Sequence, residues 1–256
     1  MINALPKFSF LNKNCFMGFA HRGGSDAYKE NTLESFTFAY RLGFKNFELD
    51  VRASADGHVF ICHDDNLDRI LGEPIILSKL SSNEIRSLEG SHGHTIPTLK
   101  SVLEEFPDVQ LNIDAKSWKV VRPLCEVIRE TNSYNRICIG GFNDLRIYSI
   151  IRQLGSSVCY SLGPVGVMCC YLAFIANKNF KVNAGCLQIP EAVFGYNFAS
   201  KKFIEFAHRS GLLVHIWTIN KESRMRKLID FGVDGIMTDN CIGLKKVMQE
   251  YELWNL

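Results

Sequence analysis

The chain has 256 residues, with 29 lysines and arginines against 27 aspartates and glutamates, a formal net charge of +2. That balance excludes a nucleic-acid binder, which carries a strong basic excess, and a charge-driven disordered tail. With 46% hydrophobic and 22% charged residues, the composition is globular, and the chain is long enough to bury a large core without disulfides. The nine cysteines are odd in number and include no C-x-x-C pair, so neither a disulfide framework nor a zinc ribbon is expected. They read as small buried hydrophobes in a reducing compartment. The first fourteen residues hold Pro6, Lys7 and Lys13 and no continuous apolar run. This reads as no signal peptide and a cytoplasmic protein.

Taken in chain order, residues 16–21 read as a strand and 32–42 as a helix, with Leu33, Phe36, Ala39 and Tyr40 on one face. Asn31 reads as the N-cap, Glu34 as the partner in a capping-box start, and Gly43 as the helix end. Residues 46–51 are the second strand. Residues 52–97 then interrupt the rhythm with a short strand at 58–63 and a small helical piece at 82–88, ahead of a helix at 98–106. Strand–helix pairs follow at 109–116 and 120–130, and at 136–142 and 144–154. Residues 157–162 form a strand followed by an apolar helix after Pro164. The last pairs are 185–189 with 201–210, 212–217 with 221–231, and 234–237 with 241–251. Eight β/α units predict a (β/α)8 TIM barrel, one domain over 1–256, with an insertion at about 52–97. An open doubly wound sheet is the competing arrangement, but no G-x-G-x-x-G follows the first strand, which removes its dinucleotide-binding form. The run 165–176, VGVMCCYLAFIA, is shorter than the roughly 20 residues of a membrane span. It is expected to be a buried helix, with peripheral membrane contact as the alternative.

Polar residues collect where strands end, the face that carries the site in a barrel. Strand one ends in His21-Arg22-Gly23-Gly24, strand two in Glu48-Leu49-Asp50, the inserted strand in His63-Asp64, and the next barrel strand in Asp114-Ala115-Lys116. A period of two puts Glu48 and Asp50 on one side and Leu49 on the other, and likewise pairs Asp114 with Lys116. Three carboxylates converging at one mouth repel unless a cation stands among them, and all-oxygen ligation favours Mg²⁺ or Ca²⁺ over zinc. Pairing with barrel lysines and arginines is the competing account. His21 and His63 form a proton-transfer pair, since imidazole titrates nearest neutrality. Arg22 and Lys116 offer positive charge to an anion. Together these parts suit an anionic ester, a phosphodiester.

These residues resemble the glycerophosphodiester phosphodiesterase family from residue 19 to residue 240. The family's H-R-G and E-N-T motifs are similar to His21-Arg22-Gly23 and Glu30-Asn31-Thr32, and its E-x-D-V to Glu48-Leu49-Asp50-Val51. Further matches run from His63 to Arg69, over Ile96-Pro97-Thr98-Leu99, over Trp217-Thr218-Ile219-Asn220, and from Gly232 to Asp239. The resemblance implies a barrel, dependence on a divalent metal, and hydrolysis of glycerophosphodiesters to glycerol 3-phosphate and an alcohol. It implies His21 and His63 as acid/base residues and Glu48 and Asp50 as metal ligands. It places Trp217 in a glycerol pocket and brings Gln188 to the substrate. Two positions depart from the pattern. Lys29 stands where proline is usual, and Asp114 stands where the third metal ligand is commonly glutamate, one methylene longer. Two other readings are a lysophospholipase D acting on lipid substrates and an inactive barrel kept as a binding protein. The retained His21, His63, Glu48 and Asp50 argue against the latter.

Overall fold

The computed structural model describes residues 8–11, 15–92, 96–193 and 196–254. Strands β1 (Met17–His21) and β2 (Asn46–Ala53) pair in parallel, and β3 (Val59–Ile61) folds back antiparallel onto β2. Strands β4 (Gln110–Ala115), β5 (Ile137–Gly140), β6 (Cys159–Tyr160) and β7 (Cys186–Pro190) follow. A separate hairpin, β8 (Ala192–Val193) and β9 (Tyr196–Asn197), precedes β10 (Leu213–Trp217) and β11 (Gly235–Thr238). The parallel strands run in the order β6-β5-β4-β2-β1-β11-β10-β7. The ring closes between β6 and β7, where Gly185 N–H donates to Tyr160 O at 3.0 Å and Leu162 N–H to Cys186 O at 3.1 Å. Among the described residues this is the expected barrel of eight parallel strands.

Ten helices are described: α1 (Leu33–Leu42), α2 (Asp68–Leu71), α3 (Ser82–His92), α4 (Leu99–Glu105), α5 (Val121–Glu130), α6 (Asp144–Leu154), α7 (Pro164–Ile175), α8 (Lys201–Arg209), α9 (Glu222–Asp230) and α10 (Cys241–Glu250). Strand alternation divides the apolar residues between two layers. Phe47, Leu49 and Val51 face outward onto helices, with Phe47 stacked on Phe36 of α1 at 5.3 Å between ring centres. Phe19, Met237, Cys138, Cys159 and Cys186 fill the barrel interior, and Phe8, Phe10 and Leu11 pack against them from the N-terminal segment. The insertion between β2 and α4 has its own small core of Phe60, Leu67, Leu77, Ile85 and Ile96. It contains α2 and the expected strand and helix, and it fixes the segment that carries His63.

The start of α1 differs from expectation. Thr32, not Asn31, is the N-cap. Its Oγ1 accepts from Ser35 N–H at 3.2 Å, and Ser35 Oγ accepts from Thr32 N–H at 3.2 Å. Asn31 is left-handed with φ 58°, a conformation asparagine tolerates better than most residues. Its Nδ2 donates to Asp50 Oδ2 at 3.0 Å, so its side chain serves the strand ends instead of the helix. Thr32→Ala is expected to lower stability by about 1 kcal/mol in urea titration. An unchanged midpoint would show that the cap contributes nothing.

Helix α7 also departs from expectation. Of its residues only Cys170 is buried, while Val165, Met168, Leu172 and Ile175 are exposed. Among the described residues, no helix is long and apolar enough to cross a membrane.

Candidate active site

All nine residues singled out at the strand ends line one cavity of about 480 Å³ at the C-terminal mouth of the barrel: His21, Arg22, Glu48, Asp50, His63, Asp114, Lys116, Gln188 and Trp217. Register explains their meeting. His21 is level with Glu48 across β1 and β2, and Asp50 with Asp114 across β2 and β4. Just after β1 the chain turns sharply through Arg22, Gly23 and Gly24, all at positive φ. A Cβ on Gly23 would come within 2.7 Å of Ser35 Cβ and 2.9 Å of Phe36 N. Glycine there lets the His21-Arg22 turn lie directly on α1.

Each histidine is held through Nδ1 by a carboxylate. His21 Nδ1 lies 2.6 Å from Asp239 Oδ1, and its Nε2 stands 3.7 Å from Glu48 Oε2. His63 Nδ1 lies 2.7 Å from Asp64 Oδ1. A carboxylate on Nδ1 fixes the tautomer and leaves Nε2 to exchange a proton. Burial pulls the His21 imidazole down, but Glu48 and Asp239 outweigh it and hold it above its ordinary value. Burial raises the Asp239 carboxyl, yet its bonds with His21, Asn220 and Ser25 bring it to about 2. Asp64 is in turn fixed by Arg69 Nε at 2.6 Å, and Arg69 also reaches Glu30 at 2.6 Å.

The carboxylates between the histidines are unequally compensated. Asp50 meets Lys116 Nζ at 2.7 Å, Arg22 Nε at 3.0 Å and Asn31 Nδ2 at 3.0 Å. Burial raises its carboxyl, but Lys116 and Arg22 win and hold it below the usual range. Glu48 has no comparable partner. Burial and the neighbouring Asp50 charge push it to about 7. Asp114 Oδ2 takes Lys116 Nζ at 2.6 Å, while Asp114 Oδ1 is buried with no hydrogen-bond partner. Arg22 Nη1 is engaged by both oxygens of Glu30 at 3.1 Å. Pairing with barrel lysine and arginine, the competing account in the sequence, thus covers Asp50. Among the described residues it gives Glu48 no lysine or arginine side chain in contact, only the His21 imidazole at 3.7 Å, and leaves one oxygen of Asp114 without a hydrogen-bond partner. An all-oxygen set with such gaps fits a hard divalent cation. The three carboxylates do not form a tight cluster. Among the described residues, the only three His, Cys, Asp or Glu side chains with donor atoms all within 4.8 Å of one another are cysteines elsewhere in the barrel.

The remaining walls are less charged. Gln188 Nε2 donates to Asn112 Oδ1 at 2.7 Å on the cavity floor. Trp217 meets Phe142 edge-on at 5.7 Å, and both line the mouth. Beyond the nine, the structure adds Asp239, Glu30, Asn31 and Asn112 to the site. Asp239 and Glu30 belong to motifs visible in the sequence, but nothing local assigns their partners.

The family model for the glycerophosphoryl diester phosphodiesterase family matches residues 21–154 and 173–242. The chain belongs to this family. It is a phosphodiesterase, in a family that hydrolyses glycerophosphodiesters. A probable glycerophosphodiester phosphodiesterase 2 of Mycobacterium tuberculosis is 31% identical, over 98% of this chain and 97% of that protein. A human lysophospholipase D, GDPD1, is 25% identical over 98% of this chain and 90% of its own length. An Oleispira antarctica phosphodiesterase, solved with its product sn-glycerol-3-phosphate, shares the fold. It aligns with a TM-score of 0.74 at 23% identity, over 92% of this chain and 98% of that one.

Proposed function

We propose that the chain releases glycerol 3-phosphate and an alcohol from a glycerophosphodiester, with His21 and His63 as the acid/base pair and a divalent cation, Mg²⁺ or Ca²⁺, held by Glu48, Asp50 and Asp114. The observation that carries this is the pair of carboxylate-oriented histidines flanking one mouth, each with Nδ1 occupied. The glycerol 2-hydroxyl attacks phosphorus as one histidine takes its proton. The P–O bond to the alcohol breaks, and the other histidine protonates the departing oxygen. Water then opens the cyclic phosphate with the proton roles reversed. The cation, when bound, neutralises phosphoryl charge. Lys116 contributes as well. Its ammonium has three donors, and Asp50 and Asp114 engage it, which leaves one to face a phosphate oxygen. Trp217 and Phe142 offer an apolar wall to the glycerol carbons, and Gln188 presents its amide from the floor.

The test is release of glycerol 3-phosphate from glycerophosphocholine. EDTA is expected to abolish turnover, and Mg²⁺ or Ca²⁺ to restore it. A metal-independent rate would contradict the cation, and equal turnover of diesters lacking the 2-hydroxyl would contradict the cyclic route. The compartment expected for the enzyme is the cytoplasm.

A second reading concerns the substrate's alcohol. Val167 and Met168 of α7 line the cavity, while Val165, Leu172 and Ile175 of the same helix are exposed, as are Leu145 and Tyr148 of the neighbouring helix α6 and Phe142 just before it. An apolar rim joined to a polar site suits an amphiphile presented at a lipid surface, such as a lysophospholipid, and the human relative is named for that activity. Fully burying a leucine or isoleucine is worth about 1.5–3 kcal/mol. Leu172→Glu with Ile175→Glu is therefore expected to cut turnover of lysophosphatidylcholine in vesicles at least about tenfold. Turnover of glycerophosphocholine should be unaffected. Equal loss on both substrates would rule out the surface role.

A further inference from the structure

We propose that Cys138, Cys159 and Cys186 form a second, buried metal site, a tri-thiolate cradle for a soft cation such as Zn²⁺, with the His215 imidazole beside it. The three lie on the consecutive strands β5, β6 and β7, at the place where the barrel closes. All are fully buried, and their sulfurs lie within 4.8 Å of one another. Cys138 Sγ and Cys186 Sγ stand 3.9 Å apart, a non-bonded contact. Two sulfurs each about 2.3 Å from a tetrahedral zinc would be separated by about 3.8 Å. His215 is 0% exposed, and its Nε2 has no hydrogen-bond partner. It lies against Cys186, and its Nδ1 is 3.4 Å from Gln188 Nε2.

Simple core packing accounts for the burial of three small thiols. It leaves unexplained why three sulfurs from three strands converge within 4.8 Å of one another beside a buried imidazole. A thiophilic ion bound by the three thiolates explains that convergence. Thiolate and imidazole donors select zinc or copper(I), whereas the carboxylates at the mouth select hard ions, so the two sites would not compete for one metal. Metal binding displaces the thiol protons. Gln188 Nε2, 4.0 Å from Cys138 Sγ, would donate to the bound thiolate.

The position suggests what the ion does. β6 is only two residues long, so the closure between β5 and β7 is held by few backbone bonds, and a metal would tie the three strands together. The N-terminal segment seals the cradle. A Cβ on Gly185 would meet Leu11, Cys159 and Phe8 within 3 Å. The ion therefore loads as the chain folds.

The experiment is elemental analysis of protein produced with zinc and then treated with EDTA, alongside wild-type protein refolded with Co²⁺. One zinc per chain is expected to survive chelation, and to persist in the Glu48→Gln/Asp114→Asn variant, which alters only the carboxylate set. Cys159→Ser should lose it. Cobalt should give thiolate-to-metal charge-transfer bands and the visible bands of a tetrahedral ion. If Cys159→Ser does not fold, the wild-type measurements decide alone. Cobalt-refolded protein without charge-transfer bands, zinc-grown protein without stoichiometric metal, or a disulfide between any two of the three cysteines would each overturn the proposal.

Discussion

Replacing His63 by alanine lowers turnover of a glycerophosphodiester by at least about 10²-fold, the usual contribution of an acid/base group, while the chain stays folded. The second half follows from the surroundings. The His63 side chain is 34% exposed, and its carboxylate partner Asp64 keeps Arg69 at 2.6 Å when the imidazole is gone. No buried charge is left unpaired. His21→Ala is expected to cost at least as much in rate, with Asp239 still held by Ser25 at 2.7 Å and Asn220 at 2.8 Å. Asp239 acts through His21, and its replacement separates positioning from mere packing. Asp239→Asn removes a negative charge that raises the His21 pKa. The limb of the pH–rate profile belonging to His21 should therefore move to lower pH, with kcat reduced more than KM is changed. The measurements are steady-state kinetics across pH and thermal melts of each variant. Near-normal turnover in either histidine variant would remove that residue from the chemistry.

The barrel was legible because its signals are local. The alternation Glu48-Leu49-Asp50 puts two carboxylates inside and a leucine outside on any strand, and Gly43 closes α1 at φ 101° as the sequence suggests. Strand ends and the family resemblance together point to nine residues that line the cavity, although Gln188 belongs to none of the quoted motifs. What escaped depends on partners distant in sequence. His21 and Asp239 are 218 residues apart and meet only because β1 and β11 are neighbours in the ring. Asn31 was misread because the same short amide suits an N-cap and a left-handed turn. Only the nearness of Asp50 decides between them. Helix α7 was expected to hide its apolar face. Its composition is apolar all round, so no periodicity marks which side meets the strands. The cysteines carry no motif at all, since their spacing reflects strand register and not a loop around a metal.

Lys116→Met is expected to destabilise the protein by about 3–5 kcal/mol, the cost of breaking a buried ion pair from one side. Lys116 Nζ sits between Asp50 Oδ1 at 2.7 Å and Asp114 Oδ2 at 2.6 Å, and all three side chains are at most 11% exposed. Burial opposes its charge, but the two aspartates prevail and raise its pKa, so the folded state depends on the ammonium. Its removal leaves Asp50 with Arg22 and Asn31. Asp114 then has neither oxygen compensated, since Oδ1 already lacks a hydrogen-bond partner. Adding Asp114→Asn to Lys116→Met should therefore recover part of the loss, a coupling that separate sites would not show. The same reasoning ties stability to the proposed cation. A ligand at 100 times its dissociation constant adds about 2.7 kcal/mol to the folded state. With the ammonium gone and the carboxylates unscreened, Mg²⁺ or Ca²⁺ should raise the melting temperature of Lys116→Met more than that of wild type. An unchanged melting temperature in Lys116→Met would show that the lysine does not hold the carboxylates together. A cation response no greater than that of wild type would show that Asp50 and Asp114 are not where the ion sits.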